Sequence, residues 1–152
     1  MKVGYTQKII ESKETFSHVS FLAEYGQVLW GVWKSETSKA SFSKKVIKEV
    51  NENHNRDGVY FYLRGKDRVL KIKVREILFT DEVKEKKLEK LIPSYYSIDT
   101  PVYCWYLVDE VTVYGNKDCL KNLYTSNGKE LYSVVGQSNP ASPWEIFNEK
   151  NF

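Results

Sequence analysis

Trp33, Lys34 and Ser35 stand in a row at the end of an apolar run, inside the stretch LWGVWKSE that spans Leu29 to Glu36. A pocket for a flat heteroaromatic group needs aromatic walls on two or three sides and a few polar atoms to read the group's edge. Trp33 at a strand end, with a cation and a hydroxyl directly after it, is placed to be one such wall. Tyr95 and Tyr96, in the loop-like SYYSIDT, offer a second. On the residues alone Trp33 is equally a core residue or a cage wall, and the tyrosine pair leans toward the core. Trp30 and Trp105, flanked by apolar neighbours, read as core.

Lys71, Lys73 and Arg75 alternate with Leu70, Ile72 and Val74, so one strand carries a basic face and an apolar face. With Arg64 and Lys66 they make a set able to contact phosphates, the alternative being a hydrated outer sheet surface. The lysine run from Lys84 to Lys90 is interleaved with Glu85 and Glu89 and reads as a solvated helix face. The chain carries 23 basic and 20 acidic residues, a balance compatible with a nucleic-acid partner but not diagnostic of one. The 14% of aromatic residues points toward stacking more than toward backbone attraction.

No Ser–His–acid or Cys–His signature and no glycine-rich phosphate loop occurs. His18 reads as a satisfied strand residue and His54 as a polar helix end. Cys104 and Cys119 make no metal-ligand pattern with them and read as thiols. No catalytic or metal-binding residue and no cofactor is therefore assigned. The absence of a long apolar run and of a signal-like N-terminus gives the expectation of an intracellular, cytoplasmic chain away from membranes.

The elements that must hold these residues form one domain, residues 1–152, with no repeat or linker. His18 to Ala23 and Gln27 to Lys34 read as strands, the second with Trp30 and Trp33 on opposite faces. Ser41 is expected to cap a helix running to about Asn53, with Phe42, Val46, Ile47 and Val50 as its apolar stripe. Val59 to Leu63 and Val69 to Phe79 read as a hairpin. Asp81 to Leu91 reads as a short helix stopped by Pro93, and Val102 to Tyr114 as a strand bulged near Asp109-Glu110. Ser126-Asn127-Gly128-Lys129 is a hairpin turn leading to a strand from Glu130 to Val135, and Pro143 to Asn148 a terminal helix. These add up to an α+β domain with a small mixed β-barrel of five or six strands and flanking helices.

The order of these features resembles that of YTH domains and their prokaryotic EVE relatives in the PUA-like superfamily. The matching stretches are GVWKSETSKASFSKKV, GVYFYLRGKDRVLKIKVREI, PVYCWYLVDEV and TSNGKEL, which span roughly Gln27 to Leu131. The resemblance implies a small barrel that holds a modified base in an aromatic cage. Trp33 matches the first cage tryptophan. Lys34, with Ser35 beside it, falls where the family often has a residue contacting the base through its backbone. Asn127 falls on an aspartate that hydrogen-bonds the base, Ser126 on a phosphate-contacting arginine, and the second wall falls to Tyr95 or Tyr96. No tryptophan occupies that loop, Asn replaces Asp and the arginine is absent, so N6-methyladenine, 5-methylcytosine and its derivatives are all open as ligands.

What this implies is a reader of DNA or RNA carrying a modified base, the specificity module of a bacterial modification-dependent restriction system. Its partner would be a fused or associated AAA ATPase or nuclease. The alternatives are a PUA-like RNA-binding module indifferent to modification and a small hydrolase of the ASCH group. The latter would need Lys, Tyr or Glu side chains converging in the pocket.

Overall fold

The computed structural model describes residues 1–9, 13–33, 44–52, 58–134 and 143–150, with only the backbone of Trp33. Seven strands form one sheet: β1 (Lys2–Lys8), β2 (Val28–Trp33), β3 (Val59–Arg64), β4 (Val69–Leu78), β5 (Val102–Tyr114), β6 (Tyr124–Thr125) and β7 (Trp144–Phe147). Among the described residues three α-helices accompany them: α1 (Lys13–Tyr25), α2 (Lys44–Glu52) and α3 (Thr80–Glu85). The strand order is β2-β5-β4-β3-β1-β7-β6. Only β1 and β3 run parallel; the other neighbours are antiparallel. The α+β class holds, with seven strands instead of five or six. Among the described residues no ladder joins β2 to β6, so the sheet is open along those two edges.

The β3–β4 hairpin, β5 and β2 lie where alternation places them. So does the bulge: Lys73 pairs with Glu110 and Val74 with Val108, which leaves Asp109 without a cross-strand partner. On β4 the ladder skips Arg75 in the same way, and the two skipped residues bond each other, Arg75 Nε donating to Asp109 Oδ2. The slip lets Ile72, Val74 and Ile77 all reach the main core while Leu78 turns to a second one.

Four expectations are overturned. The segment His18 to Ala23 is helical, part of α1, because Thr15, His18, Val19 and Leu22 recur at helical spacing: Thr15 and His18 are buried, and Val19 and Leu22 pack on the main core. Gly26 ends that helix at φ +78°, its N–H bonded to the Leu22 carbonyl at 2.8 Å. Pro143 to Asn148 holds strand β7, because pairing with β1 and β6 outweighs local preference in four residues. Glu130 keeps a single bridge to Tyr124, and Leu131–Ser133 then turns as a 3₁₀ helix. The helix expected over Asp81 to Leu91 is split into α3 and a 3₁₀ turn at Glu89–Leu91, with Lys87 at φ +57° between them. Ser41 and Phe42 lie outside the described residues.

The main core lies between one sheet face and α1 with α2. The opposite face carries two smaller cores. One gathers Leu29, Leu78, Val83, Leu91, Tyr96 and Trp105, and the other Val69, Leu120, Leu131 and Ile146. β1 is buried along its middle, where even Thr6 and Gln7 are enclosed. Thr6 Oγ1 donates to the Tyr62 carbonyl at 2.9 Å, and Gln7 Oε1 accepts from the Tyr106 hydroxyl at 2.9 Å, so both polar side chains are satisfied.

Candidate functional site

The loop after Pro93 is tied to the end of β2 by an aromatic stack. Tyr96 is buried, with its ring edge-on to Trp105 at 5.3 Å. It lies against Gly31, where a Cβ would come within 3.2 Å of the Tyr96 ring and 2.9 Å of Val102. The absence of a side chain at Gly31 lets Val102 and the Tyr96 ring both pack closely on the strand. Val102 is also the backbone partner of Trp33, so the tyrosine loop sits beside the strand position of Trp33. Trp33's side chain, Lys34 and Ser35 lie outside the described residues.

Tyr95 is 37% exposed, packs on Tyr96 at 4.4 Å and brings its hydroxyl to 2.5 Å from the His18 ring nitrogens. His18 lies flat on Trp30, with centroids 4.0 Å apart and planes 13° from parallel. Its Nδ1–H donates to the Glu14 carbonyl at 2.9 Å, which leaves Nε2 to accept from Tyr95. Burial pulls the His18 pKa down to about 4, so the ring is neutral near pH 7. Burial likewise raises Tyr96 to about 12. Trp30 and Trp105 are core residues, as their neighbours suggest.

The basic face of β4 is not uniform. Lys71 stands over the rings of Tyr60 (4.2 Å) and Tyr62 (5.4 Å). Burial would lower its pKa, but the oxygens of Tyr62, Tyr114 and Tyr60 outweigh this and hold it above the ordinary lysine range. Lys73 instead pairs with Glu110 at 3.0 Å, and Arg75 with Asp109. Both acids come from β5, a neighbour that the spacing of β4 alone does not reveal. Lys66 is exposed in the β3–β4 turn. Arg64 is only 5% exposed: its Nε donates to Thr6 Oγ1 at 2.9 Å, and its guanidinium lies 5.3 Å from the Trp144 ring centre.

Ser126 and Asn127 sit in the hairpin after β6, an edge strand of the sheet at the other end from β2. The hairpin is bonded to itself through Thr125 N–H to the Lys129 carbonyl (2.8 Å) and Gly128 N–H to the Thr125 carbonyl (3.0 Å), with Gly128 at φ +81°. Thr125, Ser126, Asn127, Lys129, Trp144 and Glu145 line a groove of about 680 Å³. A second groove of about 650 Å³ runs between α1 and Pro93–Tyr95, past Ser17 and Phe21. Trp144 carries no signal in the sequence as a groove residue, because PWEIFN has the composition of a short terminal helix and its strand pairing is long-range.

Lys2, Tyr5 and Glu49 converge as well. Both Lys2 Nζ and the Tyr5 hydroxyl donate to Glu49 Oε2, and these bonds hold the Glu49 carboxyl below its ordinary range against the opposing effect of burial. Tyr5 is 1% exposed and neither groove includes the trio, which joins α2 to β1 as a strut. Among the described residues no His, Cys, Asp or Glu group is placed to hold a metal, and no helix is long and apolar enough to cross a membrane.

Comparison with known proteins gives one match: a family model described as Pua-like fits residues 5–148. No curated protein and no solved structure matches the chain.

Proposed function

Since the chain belongs to the Pua-like family, whose fold suggests a nucleic-acid-binding module, we propose that it is a reader domain that captures a modified base at the end of β2. In this reading Trp33 forms one wall, Lys34 and Ser35 supply polar contacts at the base edge, and the Tyr95–Tyr96 loop supplies the second wall. The observation that carries it is the seating of Tyr96 on Gly31, two residues before Trp33, with Val102 touching both positions. Tyr95 is the more exposed of the pair, and its hydroxyl is held against the His18 ring, as a preorganised wall should be.

Extracting a base from a duplex costs a few kcal/mol, and stacking contributes roughly 1–3 kcal/mol per base, so the cage about offsets flipping. Net affinity then rests on phosphate contacts, for which Lys71 and the exposed Lys66 are the best placed cations described. A weak isolated reader suits a specificity module that works beside a fused or associated AAA ATPase or nuclease, where avidity multiplies small affinities.

The test is a titration of matched DNA and RNA oligonucleotides with and without N6-methyladenine or 5-methylcytosine. Tighter binding of one modified strand, lost in Trp33→Ala with the fold intact by circular dichroism, supports the reading. Equal affinity for modified and unmodified strands overturns it.

A further inference from the structure

The groove beside β6 and β7 has an aromatic floor in Trp144, polar walls and a cation; the resemblance gives Ser126 and Asn127 to a modified-base pocket, but Trp144 and Lys129 have no part in that pocket. We propose that it is a separate binding site for a nucleoside monophosphate unit, with the base stacked on Trp144, its edge met by Asn127 and its phosphate by Lys129.

The volume of about 680 Å³ falls within the usual range for small-molecule sites. Trp144 is fixed before any ligand arrives. Its backbone is in strand β7, paired with Thr6, and the buried Arg64 guanidinium lies over its ring while taking no part in lining the groove. A rigid indole of this kind stacks on any nucleobase. Asn127 is also oriented. Its Oδ1 accepts from the Thr125 hydroxyl, which leaves the two Nδ2 hydrogens to donate. The site therefore suits a base edge that presents acceptors, such as the carbonyls of pyrimidines or N7 of a purine.

Lys129 provides the charge. Its side chain is exposed and makes no ion pair among the described residues. The acid on the rim, Glu145, is 3.2 Å from Lys45, so its repulsion of a phosphate is offset. The Thr125 hydroxyl also accepts the Lys129 backbone N–H at 3.2 Å, and this same side chain orients Asn127. One threonine thus sets both ends of the polar wall. The residues that hold the nucleotide here come from β7 and the hairpin after β6, and none of them belongs to β2 or the Tyr95–Tyr96 loop.

The experiment titrates the full chain with AMP, CMP, GMP and UMP while following the Trp144 indole N–H and the Asn127 side-chain amide by ¹⁵N NMR. The expected result is a saturable shift of both signals for at least one nucleotide. Asn127→Ala should weaken that nucleotide roughly fivefold, the usual loss for one hydrogen bond, and Lys129→Ala by a similar factor. The Trp144 signal should move with the same midpoint as the Asn127 signal. Failure of all four nucleotides to shift these signals overturns the site, as does undiminished binding by an Asn127→Ala/Lys129→Ala double variant. A saturable shift of the Trp33 indole N–H without one at Trp144 also overturns it, by moving the nucleotide to β2. Modified-oligonucleotide discrimination is read separately, so either proposal can fail alone.

Discussion

Gly31 and Tyr96 are in contact because Gly31 has no side chain: a Cβ there would lie 3.2 Å from the tyrosine Cζ, 2.9 Å from Val102 and 3.3 Å from Trp105. Two of these three neighbours are aromatic rings inside a packed cluster and cannot step aside easily. Gly31→Ala should therefore cost about 1–3 kcal/mol, the usual penalty for overpacking a core. It should also displace the Tyr95–Tyr96 loop, so that affinity for a modified oligonucleotide falls further than stability alone explains. Urea denaturation and an oligonucleotide titration on the same sample check both parts. An unchanged midpoint would mean that the loop is not seated as described.

His18 gives a dependence on pH whose sign is fixed. Its ring is buried and neutral, with a pKa pulled down to about 4 against an ordinary value near 6.5. Between those values the unfolded chain takes up a proton that the folded chain refuses, so stability falls as pH drops from about 6.5 to about 4. The full effect is of the order of 3 kcal/mol at 1.36 kcal/mol per unit. His18→Gln should flatten the upper part of this slope. Glu49, whose carboxyl is held low by Lys2 and Tyr5, adds a loss of its own only below the ordinary carboxylate range. Chemical denaturation at several pH values above 5 isolates the histidine, and an identical slope in the variant would count against it.

Arg64 makes one hydrogen bond through Nε, lies on Trp144 and keeps a buried Nη2 without a partner. Burial pulls its pKa down, the mark of a cation that folding has stripped of water. An apolar side chain of similar length escapes that penalty while still packing on the indole. Arg64→Met should therefore leave thermal stability unchanged or raise it, whereas Arg64→Ala should lower it by opening a cavity beside Trp144. Parallel melting curves of the two variants decide the matter. A large loss in Arg64→Met would show that the charge itself is needed.

The parts of this fold that the sequence made legible are those in which one strand face is buried and the other wet. Lys71 and Lys73 against Leu70 and Ile72 announce β4, and the slip at Asp109 announces the bulge. β1 gives no such signal, because it lies inside the sheet and buries Thr6 and Gln7 beside Tyr5. α1 was mistaken for a strand because HVSFLA alternates locally, and only the longer spacing from Thr15 to Leu22 exposes the helical period. The candidate site is marked in the sequence by residue type alone, at Tyr95, Tyr96 and Asn127. That Asn127 has Trp144 as a neighbour depends on the pairing of β6 with β7, which is long-range.

The same long-range pairing separates the lysines of β4. Lys73 faces Glu110 across the ladder and forms an ion pair with it, whereas Lys71 faces Thr112 and is held by tyrosine rings. A phosphate arriving at Lys73 must displace a carboxylate, while at Lys71 it meets an ammonium with no ion pair among the described residues. Each phosphate contact contributes about 0.7 to the salt slope of binding for a single strand and about 0.9 for a duplex. Lys71→Ala should reduce the slope of log K against log salt by about that amount, and Lys73→Ala by clearly less. Glu110→Gln should steepen the slope, because it frees Lys73 to act as a second contact. Titrations of one unmodified oligonucleotide at four salt concentrations supply all three comparisons. Equal slopes for the two lysine variants would mean that the β5 carboxylate does not decide which lysine meets the backbone.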